Sequence, residues 1–180
     1  MLGGGLAIWA RGGPPSDHDV DLLLREEDAD RALEVLAAAG FRPERPPEHW
    51  LYKAWDGDNL VDLVFHPAGG RVGDEHFARA TEIEVSAHRL PVASIDDVLV
   101  TKLLAITEQD PDFRVVLEVA RALREQVNWR SVARRTSDSP FARAFFELAQ
   151  GLAIIDDEDV AMPEHGTRAD DVGVAGPRSL

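Results

Sequence analysis

Residues 16–24 read Ser-Asp-His-Asp-Val-Asp-Leu-Leu-Leu, with carboxylates at every second position leading straight into an apolar run. Side chains alternate between the two faces of a strand. Asp19 and Asp21 therefore share one face, and Val20 and Leu22 take the other. A second stretch, Val61-Asp62-Leu63-Val64-Phe65, sets a third aspartate among apolar neighbours. A carboxylate in such surroundings is costly unless something pairs with it. The pattern calls for two strands side by side, with Asp19, Asp21 and Asp62 meeting around a cation. Hard oxygen donors favour Mg²⁺ or Mn²⁺. Such a set around two ions suits in-line phosphoryl or nucleotidyl transfer, one ion activating the attacking hydroxyl and the other holding the triphosphate. Asp17 precedes the apolar run and reads as a loop acid, and His18 reads as exposed.

The N-terminus supplies a second element of the same chemistry. Gly3-Gly4-Gly5 leads into Leu6-Ala7-Ile8-Trp9-Ala10, a glycine turn followed by an apolar patch of helical period. Gly4 and Gly5 would let backbone N–H groups approach a phosphate at a helix start. Ser16, just ahead of the carboxylates, would add a hydroxyl donor.

The rest of the chain frames these residues. Residues 26–39 carry Ala29, Ala32, Leu33, Leu36 and Ala37 on one helical face, and Gly40 ends the run. Residues 49–55 and 59–65 flank Asp56-Gly57-Asp58 as a hairpin. Residues 82–92 read as extended. Ser94 and Asp97 form a capping box, and a helix runs on through Val98, Leu99, Lys102, Leu103 and Ile106. Further helices are expected at about 112–126, 128–135 and 140–151. The fold class is α+β: a small mixed sheet with flanking helices over 1–93, then a helical region over 94–155. Residues 156–180 hold seven acids against Arg168 and Arg178 and read as a disordered tail.

Composition removes several alternatives. The chain has no cysteine, which excludes disulfides, zinc–thiolate sites and thiol catalysis. No apolar run approaches a membrane span, and the N-terminus lacks a secretion signal, so a cytoplasmic location is the default expectation. The formal net charge of −14 makes the body a poor non-specific binder of nucleic acid.

Taken together, the Gly-Gly turn, the thirteen-residue gap from Gly5 to Asp19, the Asp-Val-Asp strand and Asp62 on a neighbouring strand resemble the DNA polymerase β-like nucleotidyltransferase superfamily. The nearer resemblance is to its small prokaryotic members, the AbiE-type and MenT-type toxin nucleotidyltransferases, over roughly residues 3 to 150. The stretch from Ser94 to Lys102 is similar to the helix that, in those proteins, carries a lysine facing the nucleotide phosphates. Glu108 to Phe113 is similar to their next acidic helix start, though Asp112 would serve as well as an N-cap. Two features depart from the pattern: only Met1 and Leu2 precede the glycines, where members usually have a helix and a strand, and Gly5 stands where many carry serine.

The resemblance implies Asp19, Asp21, Asp62 and Lys102 as catalytic residues, with Gly4, Gly5, Ser16 and Lys102 on the triphosphate. It implies an NTP substrate, pyrophosphate as leaving group and Asp62 helping to deprotonate the acceptor hydroxyl. The acceptor is left open between tRNA, which would imply a toxin with an antitoxin partner, and a small cationic molecule such as an aminoglycoside. A degenerate, non-catalytic domain acting as a binding module is the alternative outside enzymes. A tRNA acceptor would need a basic groove, for which Arg11, Lys53, Lys102, Arg114, Arg121, Arg124, Arg130, Arg134 and Arg135 are available. Trp50 or Tyr52 could stack on a base, although aromatic residues in a hairpin more often pair with one another or join the core.

Overall fold

The computed structural model describes residues 1–16 and 19–160. Asp17, His18 and the expected tail beyond 160 lie outside the described residues. Helix α1 (Gly4–Ala10) leads to strand β1 (Val20–Leu23), and a 3₁₀ turn at Glu26–Asp28 opens α2 (Ala29–Ala38). Strands β2 (Arg42–Glu44), β3 (Leu51–Asp56) and β4 (Asn59–Val64) complete a four-stranded sheet in the order β1-β4-β3-β2. Only the β1–β4 pair is parallel. A short helix, α3 (Asp74–Arg79), precedes the hairpin β5 (Thr81–Val85) and β6 (His88–Val92). The second half is helical: α4 (Ile95–Ala105), α5 (Arg114–Leu123), α6 (Trp129–Arg135), α7 (Pro140–Gly151) and α8 (Asp157–Val160). Among the described residues no helix is long and apolar enough to cross a membrane.

Alternation along β1 and β4 gives the sheet two unlike faces. Leu22, Leu63, Val61 and Ala54 face α2, where Leu33 packs on them in a small core. The other face carries Asp21, Asp62 and Lys53. The main core lies beyond it and draws from both halves of the chain: Leu2, Ala7, Ile8 and Val92 pack with Val98, Leu99, Leu103, Val119, Leu123 and Phe145.

The residues ahead of the glycines are integrated into the sheet. Leu2 bridges to Leu22 on one side and to Val92 on the other. Leu23 N–H donates to the Met1 carbonyl at 2.8 Å, and Ala93 N–H donates to that of Leu2 at 2.9 Å. This short extended piece joins the β5–β6 hairpin to β1 and fixes where α1 begins.

α4 is the hinge between sheet and helices in a literal packing sense, since it is buried along Val98, Leu99 and Leu103. Its N-terminus keeps one half of the expected box, Asp97 N–H donating to Ser94 Oγ at 3.1 Å, while the Asp97 carboxylate bonds the Ser94 hydroxyl instead of its backbone N–H. Asp97 is only 4% exposed. Its carboxylate accepts from Arg79 of α3 through two nitrogens, from Ser94 Oγ and from Arg135 of α6. One buried acid thus ties three helices together.

Candidate active site

The β1–β4 ladder sets Asp21 beside Asp62, as parallel strands in matched register require. These two aspartates share the face opposite α2, while the expected alternation of Asp19 with Asp21 falls outside the strand, which begins at Val20. Asp19 sits just before β1 and is exposed.

Asp21 is crowded from above by α1. Gly4 has φ +49°, and a Cβ there would lie 1.7 Å from Asp21 Oδ2, so only glycine permits this approach. Burial is the main influence on the Asp21 carboxyl and raises its pKa above the ordinary value; Asp62 and Asp19 push the same way, while Lys102 and the Gly5 backbone N–H oppose them. Gly5 in turn stands against Ser16, whose Oγ would be 2.3 Å from a Cβ at that position. Ser16 Oγ is buried with no hydrogen-bond partner among the described residues. A buried hydroxyl without a partner is uncommon and calls for an explanation.

A cavity of about 980 Å³ opens between this face and α4. Gly4, Asp21, Thr101 and Lys102 are among its lining residues, as are Glu48, Trp50, His66 and Pro67. Lys102 lies near enough to Asp21 for its charge to lower the Asp21 pKa. Trp50 is 40% exposed, whereas Tyr52 lies against Phe65 with ring centroids 5.2 Å apart. Trp55 donates from Nε1 to Glu44. Arg114 N–H donates to Asp112 Oδ1 at 2.8 Å, so Asp112 serves the start of α5 from the position before its N-cap residue, Phe113.

Asp62 departs from the simple convergence of three acids. Its Oδ1 is paired with Lys53 Nζ at 3.1 Å, and it is not part of the cavity lining. Among the described residues no group of three or more His, Asp or Glu side chains forms a ready metal shell. The donor set still suits Mg²⁺ or Mn²⁺. Mg²⁺ keeps several waters and needs only one or two carboxylates, with substrate phosphates completing the octahedron. Asp21, cradled under a glycine and raised in pKa beside Asp62, is a carboxylate that a cation would relieve.

Lys53 was legible only as a member of a basic set. The register would have found it: the turn places Asp56 opposite Asn59, and counting back three pairs sets Lys53 opposite Asp62.

No protein-family model matches the chain, and no curated protein matches it. Its fold is similar to that of ANT(2″)-Ia in a crystal structure with adenylyl-2″-tobramycin, at TM-score 0.55 and 16% identity over 82% of this chain and 87% of that one. It is similar also to a solution structure of the same antibiotic-resistance factor, described as having substrate-regulated conformation dynamics. That match has TM-score 0.53 and 17% identity over 85% of this chain and 84% of the other. The expected α+β architecture is thus similar to the fold of ANT(2″)-Ia.

Proposed function

We propose that the chain is a divalent-metal-dependent nucleotidyltransferase that moves an NMP group from an NTP to a hydroxyl of a small cationic acceptor. The observation that carries this reading is Asp21, set beside Asp62 and pressed under Gly4 in the lining of a cavity that Lys102 also lines. Asp19, Asp21 and Asp62 would hold Mg²⁺ or Mn²⁺, which when bound neutralises the triphosphate and the developing negative charge. The turn at Gly4 would bring backbone N–H groups close to phosphate oxygens, while the Gly5 N–H already bonds the Asp21 carboxylate and holds it under the turn. Ser16 Oγ and Lys102 Nζ add a neutral and a charged donor. The acceptor oxygen bonds to the α-phosphorus as the bond to pyrophosphate breaks, and its proton passes to a carboxylate oxygen of Asp62.

Charge favours a small cationic acceptor over tRNA. Several basic residues that a tRNA groove would need are already engaged. Arg11 donates to the carbonyls of Val92 and Ala93, Lys53 is paired with Asp62, and Arg135 with Asp97. Arg114 and Arg124 each lie against two carboxylates. With a net charge of −14, the field draws cations. The neighbour of similar fold carries adenylylated tobramycin, which agrees with that preference.

Incubation with radiolabelled NTPs, Mg²⁺ and separate arms of aminoglycosides and total RNA tests the reading. Label is expected on an aminoglycoside, with Asp21→Asn or Asp62→Asn reducing it by about a thousandfold or more, the scale of losing a group central to transition-state stabilisation. Label on RNA alone would transfer the activity to the toxin-type reading. No label in any arm, together with no NTP binding by calorimetry, would leave a non-catalytic domain.

A further inference from the structure

One row across the sheet reads Asp21, Asp62, Lys53, Glu44, a residue from each of the four strands. Lys53 thus has a carboxylate directly opposite on both sides, Asp62 in β4 and Glu44 in β2. Its ammonium sits with Asp62 at 3.1 Å, in a pair whose side chains are 25% and 15% exposed. Glu44 is held in place by Trp55 Nε1 at 2.8 Å and approached by Arg42 at 3.7 Å. Both contacts fall on Oε2, which leaves Oε1 turned over to another donor. Directly opposed residues in an antiparallel pair have Cβ atoms about 4.5–5.5 Å apart, so a lysine stem reaches either neighbour by rotation alone.

We propose that Lys53 is a positioning residue, a resident cation that neutralises Asp62 while no metal is bound and moves to Glu44 when a divalent cation takes Asp62. This rests on the nucleotidyltransferase reading of the site. Without Lys53, Asp62 would lose its direct partner and stand beside Asp21 with Lys102 as the remaining cation near the pair. With a divalent ion on Asp62, a neighbouring ammonium is repelled, and Glu44 is the seat that repulsion drives it to. Metal binding then includes the cost of displacing an internal cation, and that cost is adjustable by mutation.

The test is Mn²⁺ binding to the full chain without nucleotide, followed by electron paramagnetic resonance, alongside metal-free melting temperature. Lys53→Met removes the competitor and is expected to tighten Mn²⁺ binding by about three- to tenfold while lowering the metal-free melting temperature. A merely structural lysine would give the opposite sign, weaker binding from a disturbed site. Glu44→Gln removes the second seat and is expected to weaken Mn²⁺ binding with the Lys53–Asp62 pair intact. Lys53→Arg keeps the pair and grips the carboxylate in a fork, so it should bind Mn²⁺ more weakly than the wild type. It decides the matter if Lys53→Met fails to fold. Unchanged Mn²⁺ affinity in Lys53→Arg, or unchanged or weaker affinity in a folded Lys53→Met, overturns the proposal and leaves the nucleotidyltransferase reading standing. Absence of any Mn²⁺ binding sensitive to Asp21→Asn overturns the proposal alone, because substrate phosphates complete the metal shell and the nucleotidyltransferase reading is decided by the labelling experiment.

Discussion

Gly4 and Ser16 separate stability from chemistry more cleanly than the aspartates do. A methyl group at Gly4 would fall 1.7 Å from Asp21 Oδ2, on backbone at φ +49° that costs an L-residue about 1–2 kcal/mol. Gly4→Ala is therefore expected to destabilise the fold by about that amount in urea denaturation. It should also displace Asp21 and lower single-turnover nucleotidyl transfer by about a hundredfold or more. Ser16→Ala should behave differently. It deletes a buried hydroxyl that has no partner among the described residues, so stability should hold or rise by up to about 1 kcal/mol. NTP affinity by calorimetry should fall several-fold at the same time. A drop in stability without loss of affinity would show Ser16 to be structural. Such residues are legible in sequence only in part. An acid set among apolar residues singles out Asp21 and Asp62, because burial of an acid is costly wherever it occurs, whereas Asp19 lies exposed just before β1. Lys53 escapes because a lysine in a hairpin reads as solvent-facing, and only the strand register gives it a carboxylate on each side.

At the scale of elements, α4 carries the electrostatics of the fold on one residue. Burial alone would raise the Asp97 pKa, but hydrogen bonds from Arg79, Ser94 and Arg135 outweigh it, and the carboxyl ends below its ordinary value. A depressed folded-state pKa means that the unfolded chain binds the proton more readily. The stabilisation is therefore complete above the ordinary value of about 3.9 and is lost as pH falls through the folded value. Asp97→Asn is expected to cost about 3 kcal/mol at neutral pH, since it leaves two guanidinium groups against a neutral amide in a nearly closed site. The gap between wild type and variant, measured by urea titration across pH, should narrow below about pH 4. A pH-independent gap would mean that Asp97 acts through packing. The Ser94–Asp97 box was readable from local spacing, whereas its two arginine partners, 18 and 38 residues away, were not. The same contrast explains the elements that sequence left out. β2 is Arg-Pro-Glu, without strand-forming side chains, and exists because β3 offers it an edge. α3 has Phe77 as its single large apolar residue, and Arg25 stacks on that ring at 4.3 Å. The β5–β6 turn at Ser86 and Ala87 takes positive φ at both positions without the usual Asn-Gly, so residues 82–92 showed extended character but no hairpin turn.

Across the whole molecule, the expectation of a sheet-bearing part over 1–93 and a helical part over 94–155 meets a core that ignores the boundary. Leu2, Ala7, Ile8, Val92 and Ala93 are each at most 5% exposed, and they pack against Val98, Leu99, Leu103, Val119, Ala120 and Phe145. The cluster on the α2 side of the sheet is far smaller, with Leu33, Ala54 and Leu63 as its fully buried members. Apolar burial contributes about 25 cal/mol per Å², and ordering each backbone residue costs about 1–2 kcal/mol, so a fragment confined to the smaller cluster has little to offset its entropy. Residues 1–93 alone would also expose the side of α1 that carries Ala7 and Ile8, and with it the support that holds Gly4 against Asp21. We expect this fragment to give no sigmoidal thermal transition by circular dichroism and to bind a hydrophobic dye, while residues 1–160 unfold in one cooperative step. A sharp transition in the 1–93 fragment would instead make the sheet an autonomous unit. The geometry of the carboxylates would then be set by β1 and β4 without help from the helices, and Lys102 alone would depend on the second half of the chain.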